Sequence, residues 1–308
     1  MNESAFEKIQ RLKRERNAVI LAHNYQRPDV QDIADFRGDS LELARRAAGT
    51  DADVILFCGV QFMAETAKIL SPQKTVLIPD TGAGCSLANM ISAEALRELK
   101  AEHPGAAVVC YINSTVETKA ECDLCCTSTS ALDIVNSIDE GREIIFVPDR
   151  SLGRWVEQQS GRKMILWDGF CPTHHRILAE TVKRKKAEHP DALVVVHPEC
   201  TEDVREMADR VAGTGGMLRF CRESPAEEFI IGTEPGMVYR LEQEIPGKKF
   251  YAAIPQVVCR NMKRTVLEKV LWSLEDMKYE ITVEPDTARR ARRCIDRMLE
   301  VTAKAQTG

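Results

Sequence analysis

The chain has 308 residues, which at about 150 residues per domain leaves room for two or three domains and rules out one small core. Apolar residues at 44% and charged residues at 29% stand in the usual globular ratio, so a sizeable interior can be buried and overall disorder is excluded. The net charge of −5 supplies none of the electropositive field that a phosphate backbone requires, which argues against nucleic acid as a partner.

The N-terminal stretch MNESAFEKIQRLKRERN lacks the apolar core of a signal peptide, and no later stretch approaches a membrane span. No membrane partner and a cytoplasmic location are therefore expected. Eleven cysteines are many for a reducing compartment, and their odd number and scattered spacing do not make a disulfide framework. Some of these thiols are expected to bind a ligand.

Apolar runs that each end in a polar cluster predict strands at 17–25, 52–59, 74–80, 106–113, 142–149, 163–168, 192–199, 228–234 and 248–255. Between them SLELARRAA, FMAETAKIL, SAEALRELKAE, RILAETVKRKKAE and RTVLEKVLWSLED carry helical periodicity. Continuous apolar strands alternating with helices predict parallel α/β units covered on both faces. Residues 276–308, rich in Arg and Glu, predict one closing helix read as a solvated face.

The nine strands fall into three groups of three. The residues just past the first strand of each group are His23, Tyr111 and His197, which stand 88 and 86 residues apart. Seventeen residues further on lie Ser40, Ser128 and Thr214, and steps of 45, 43 and 45 residues from those reach Cys85, Cys171 and Cys259. Self-similarity at a period of about 87 residues marks an internal triplication. It predicts three three-layer α/β/α domains related by a pseudo-threefold axis, at 15–102, 103–188 and 189–275, followed by the extension 276–308. Ligands of open α/β sheets bind beyond the carboxyl ends of the strands, so the nine residues point to one central site. The plain alternative is a triplicated fold in which the hydroxyl residues only cap helices.

Three thiolates from distant parts of a chain do not make a zinc ribbon, which uses paired C-x₂-C hooks. They suit a four-iron, four-sulfur cluster with one open iron, or a zinc ion with an open position. The other cluster, ECDLCC (Cys122, Cys125, Cys126), has one C-x₂-C pair and no second to complete it, and a short helix is expected there. These thiols read as buried or semi-buried, as do Cys58, Cys110, Cys221 and Cys294, with Cys200 the least certain.

The strings LAHNYQRPDVQDIAD, GDSLELAR, PDTGAGCSLANM, YINSTVETKAECDLCCTSTSA, VPDRSLGRWV, WDGFCPTHH, VHPEC, GTGGML, GTEPGMVYRL and VCRNMKRTVLEKV together resemble the quinolinate synthase family of NAD biosynthesis, from about residue 15 to residue 275. The resemblance implies the triplicated architecture. It also implies a 4Fe-4S cluster on Cys85 (GAGCS), Cys171 (GFCPTHH) and Cys259 (VCRNMK), with one open iron acting as Lewis acid. The reaction implied is condensation of iminoaspartate with dihydroxyacetone phosphate to quinolinate, releasing phosphate and water. An L-aspartate oxidase or dehydrogenase would supply the iminoaspartate.

His23, Tyr25, Ser40, Tyr111, Asn113, Ser128, His197, Glu199 and Thr214 match the family's substrate-binding or catalytic positions. Glu199 is expected as general base, Tyr25 and His23 as proton shuttles, and His174 as a functional histidine, while His175 and Arg176 read as surface or packing. VVCRNM lacks the C-x₂-C arrangement that some relatives carry around the last cluster cysteine, so no thiol–disulfide switch is expected there. Three rivals stay open: an aconitase-like hydro-lyase, an electron-transfer or sensor iron–sulfur protein, and a zinc-holding binding module.

Overall fold

A computed structural model describes residues 3–305; the ends of the predicted terminal segments, 1–2 and 306–308, lie outside the described residues. The chain forms three all-parallel, four-stranded sheets with helices between the strands. The first contains β1 (Ala18–His23), β2 (Phe36–Gly38), β3 (Val54–Cys58) and β4 (Thr75–Leu77), in spatial order β2-β1-β3-β4. The second, β5 (Ala107–Tyr111), β6 (Leu124–Cys126), β7 (Ile144–Val147) and β8 (Ile165–Leu166), has the order β6-β5-β7-β8. The third, β9 (Leu193–Val196), β10 (Arg210–Val211), β11 (Glu228–Gly232) and β12 (Lys249–Ala252), has the order β10-β9-β11-β12. The fold is thus α/β with one architecture used three times.

The strands at the centre of each sheet are apolar throughout because helices cover both faces; every residue of β3, β5 and β7 is buried. The apolar runs predict nine strands, and the described residues contain twelve. The three extra, β2, β6 and β10, are only two or three residues long, with sequences FRG, LCC and RV too short to stand out as apolar runs. Pairing with the first strand of the sheet makes them strands, and β6 stands in place of the short helix expected there.

An aspartate recurs at the start of each short strand and explains its register. The Asp35, Asp123 and Asp209 carboxylates accept the N–H groups of Ile20, Val108 and Val194 at 2.7, 2.9 and 2.7 Å, each fifteen residues back. The strand pairing begins one residue later in every case, at Leu21↔Phe36, Val109↔Leu124 and Val195↔Arg210. A buried N–H just before the paired stretch would otherwise lack an acceptor, and the carboxylate supplies it.

The described residues divide into two compact units, one comprising residues up to Cys85 together with Cys259–Ala288, the other Ser86–Val258 with the residues from 289 onward. In the first unit, helices Ala5–Glu15 and Leu267–Asp276 bury Ile9, Leu12, Val270 and Leu274 against Ile20, Val54 and Leu56 of the sheet. The open edge of β4 is paired by the segment 279–281, with Ile281 N–H donating to Val76 O at 2.8 Å. The second unit holds the other two sheets and most of the closing helix Pro285–Lys304. That helix is more than a solvated face: Ala291, Cys294, Ile295, Met298 and Thr302 are buried at helical spacing.

In each sheet the first strand lies between the second and the third, so the direction of winding reverses there, and the crevice at its carboxyl end is where such sheets bind ligands. His23 ends β1, Tyr111 ends β5, and His197 directly follows β9.

Candidate active site

In the second unit Glu199 is the hub, buried to 2% exposure at the end of β9. The Tyr111 hydroxyl donates to its Oε1 at 2.5 Å, and His174 Nδ1 lies 2.6 Å from its Oε2. Burial alone would push this carboxyl up, but His174, His197 and the Tyr111 hydroxyl outweigh it and hold Glu199 well below the usual carboxylate range. A carboxylate only accepts, so His174 carries its proton on Nδ1 and donates it to Glu199. His174 Nδ1 also lies 3.2 Å from Cys171 Sγ, and its Nε2 lies 2.8 Å from Thr233 Oγ1.

His197 stacks on His174 with ring centroids 4.5 Å apart. Its Nδ1 accepts the N–H of Glu199 at 3.3 Å, which leaves Nε2 as the nitrogen that donates to Ser128 Oγ at 3.2 Å. Ser128 lies in turn against the N-terminus of helix Thr214–Glu223: a Cβ on Gly213 would fall 2.5 Å from its Oγ, so only glycine permits this approach. Asn113 Oδ1 is buried with no hydrogen-bond partner among the described residues, an acceptor left for a ligand. The site thus joins a charged carboxylate relay to neutral donors beside a helix N-terminus, which suits small anionic substrates.

The first unit repeats part of this pattern. His23 Nδ1 accepts the N–H of Tyr25 at 3.1 Å, the same two-residue contact made by His197, and the two rings meet edge-on at 4.6 Å. Lys263, four residues past Cys259, donates to the carbonyls of Tyr25 and Gln26. Asp80, five residues before Cys85, pairs with Arg264 at 3.0 Å and Lys269 at 2.5 Å. Burial opposes ionisation of Asp80, yet those two cations and the Gly82 N–H hold its carboxyl below the usual range. The loops that carry Cys85 and Cys259 are fastened in this way to the same unit.

Cys85, Cys171 and Cys259 each follow the fourth strand of their sheet and stand three residues before a 3₁₀ turn, at Ala88–Met90, His174–Arg176 and Met262–Arg264. All three are half-buried, whereas seven of the other eight cysteines are fully buried. The exception, Cys122, donates its thiol to Thr118 O at 3.0 Å. Cys125 and Cys126 lie buried in β6, and Cys125 Sγ approaches Cys294 Sγ to 3.1 Å, so the ECDLCC thiols are buried or half-buried as expected. Cys200 is buried too, which pushes its thiol up. Half-buried thiols at one recurring loop position fit a soft metal centre by their chemistry and place in the fold.

None of the three hydroxyl residues is the capping residue of its helix: Asp39 caps the helix that Ser40 opens, Gly213 stands before Thr214, and Ser130 follows Ser128. The helix-capping alternative is thereby removed. His175 is packing as expected, bonded to Ser151 at 2.8 Å and stacked on Phe170. Two residues escape the sequence pattern: Thr233, which holds His174, and Asp149, a fully buried carboxyl after β7. Both lie where a third strand ends, a position the repeat count does not sample.

Fold and site define a triplicated parallel α/β protein with an imidazole–carboxylate–thiol centre at the carboxyl ends of its strands. A family model described as quinolinate synthetase A protein (NadA) matches residues 7–300, and the chain belongs to this family. It is similar to the quinolinate synthase of Geobacter metallireducens, 54% identical over 295 residues that cover 96% of this chain and 97% of that protein. The quinolinate synthase of Methanoregula boonei is 54% identical over 293 residues, covering 95% and 97%. Quinolinate synthase 1 of Methanosarcina acetivorans is 51% identical over 297 residues, covering 96% and 97%. No helix among the described residues is long and apolar enough to cross a membrane.

Proposed function

We propose that the chain is a quinolinate synthase that condenses iminoaspartate with dihydroxyacetone phosphate, releasing phosphate and water, in cytoplasmic NAD biosynthesis. The iminoaspartate comes from an L-aspartate oxidase or dehydrogenase. The observation that carries the reading is the recurrence of one half-buried cysteine at the same loop position after each sheet, in a chain that belongs to this family. Cys85, Cys171 and Cys259 are assigned as the ligands of one 4Fe-4S cluster. When bound, that cluster supplies an open iron that acts as Lewis acid on a substrate oxygen and assists loss of water.

The protein's own groups cover the remaining chemistry. Tyr111, Asn113, Ser128 and the N-terminus at Thr214 are assigned to the carboxylates and phosphate, with Ser40 in the same role in the first unit. Glu199 is the general base: an anionic substrate nearby raises its proton affinity by like-charge repulsion, so the carboxylate can take a proton from carbon or nitrogen. His174 holds it in orientation through the proton it donates from Nδ1. His23 offers a proton from Nε2, because Tyr25 N–H occupies Nδ1, and with Tyr25 it moves protons on the triose while phosphate departs.

The test is iron and acid-labile sulfide after anaerobic purification, with an assay of quinolinate formation. About four of each per chain are expected, with major loss in Cys85→Ser, Cys171→Ser and Cys259→Ser but not in Cys125→Ser. Cluster loss in Cys125→Ser alone, or a full cluster with no quinolinate formed, refutes the reading.

A further inference from the structure

Cys171 Sγ, His174 Nδ1 and a Glu199 carboxylate oxygen all lie within 4.8 Å of one another, inside one compact unit. A thiolate, an imidazole and a carboxylate are the donor types of zinc sites that keep a fourth position open. The two anionic donors offset the charge of a divalent ion, so the buried site is neutral once filled. Ligands around one zinc stand about 3 to 4 Å apart given metal–ligand distances of roughly 2.0 to 2.3 Å, so only small side-chain shifts are needed.

The surrounding contacts match as well. A metal on Nδ1 leaves the proton of His174 on Nε2, where Thr233 Oγ1 at 2.8 Å can accept it, a hydroxyl being able to reverse its role. The Tyr111 hydroxyl holds the other oxygen of Glu199 at 2.5 Å. Outer partners of this kind orient metal ligands and raise their affinity.

We propose that Cys171, His174 and Glu199 form a mononuclear site for a borderline divalent cation, zinc above all, that fills when the cluster is absent. Its competition with the cluster for Cys171 rests on the function proposed above; the site itself does not. Binding releases the proton of the Cys171 thiol and moves that of His174 from Nδ1 to Nε2.

The test is titration of the cluster-free full-length chain with Co²⁺ as the coloured stand-in for zinc. One Co²⁺ per chain with a thiolate-to-metal absorption band is expected, discharged by added zinc. Cys171→Ser should abolish the band, Thr233→Val should weaken binding about 10- to 100-fold, and Cys85→Ser and Cys259→Ser should leave it unchanged. Absence of a thiolate band, or weakening by Cys85→Ser or Cys259→Ser as large as that by Cys171→Ser, overturns the proposal. Failure of anaerobic cluster reconstitution bears on the proposed function alone and leaves the Co²⁺ result intact.

Discussion

The Tyr111 hydroxyl and the Glu199 carboxylate meet at 2.5 Å although 88 residues separate them, one standing at the end of β5 and the other just past β9. Glu199 stands two residues past His197, the repeat counterpart of Tyr111, so the contact joins neighbouring copies of the same crevice. It also completes the set of donors that keeps Glu199 ionised.

Removing the hydroxyl with Tyr111→Phe leaves Glu199 Oε1 without its donor and should cost about 1 to 3 kcal/mol in urea unfolding. Because that hydroxyl is one of the groups lowering the Glu199 carboxyl, the acid limb of the kcat/KM profile should move to higher pH in the variant. An acid limb that stays in place would show that Glu199 is not the group titrating.

Glu199 also sets a sign for stability. Its folded carboxyl titrates below the unfolded one, so its contribution is present above the ordinary carboxyl range and is lost as pH falls toward the folded value. Glu199→Gln should therefore flatten the fall in unfolding free energy below about pH 4.5, the ordinary glutamate range. An unchanged slope there contradicts this assignment.

Asp149 predicts the opposite slope. Burial, reinforced by the Glu199 charge, pushes its carboxyl well above the usual value, so the folded state binds a proton that the unfolded state releases. Stability from this group is complete below about pH 4, the ordinary aspartate range, and declines as pH rises toward the folded value. Asp149→Asn should remove that decline, which unfolding curves between about pH 4 and 8 would detect.

The recurring aspartates give a test of the triplicated fold that is independent of chemistry. Asp209→Ala leaves the buried Val194 N–H without its acceptor and should cost about 1 to 3 kcal/mol, whereas Asp209→Asn, which keeps an acceptor oxygen, should cost less. Equal losses in both would mean that the charge, not the acceptor, is what the strand needs.

The closing helix carries its own prediction. Met298 is fully buried in it, so Met298→Ala should destabilise the protein by about 2 to 5 kcal/mol. A surface helix would lose only a few tenths, a difference resolved by a single pair of unfolding curves.

The sequence determined by itself whatever depends on local pattern: the nine strands that fall in apolar runs, the helices between them, and the positions of His23, Tyr111 and His197 at strand ends. Their spacing alone is enough to expose the triplication. Only the tertiary structure decided the rest. Strands as short as Arg210–Val211 exist because a partner strand and an aspartate fix them, with no periodicity of their own to read. The Arg-rich closing helix reads as solvated because its buried stripe is small and sulfur-containing. Thr233, and the meeting of Cys171, His174 and Glu199, depend on chain segments brought together by packing. Those contacts set the protonation of Glu199, and no residue spacing carries that information.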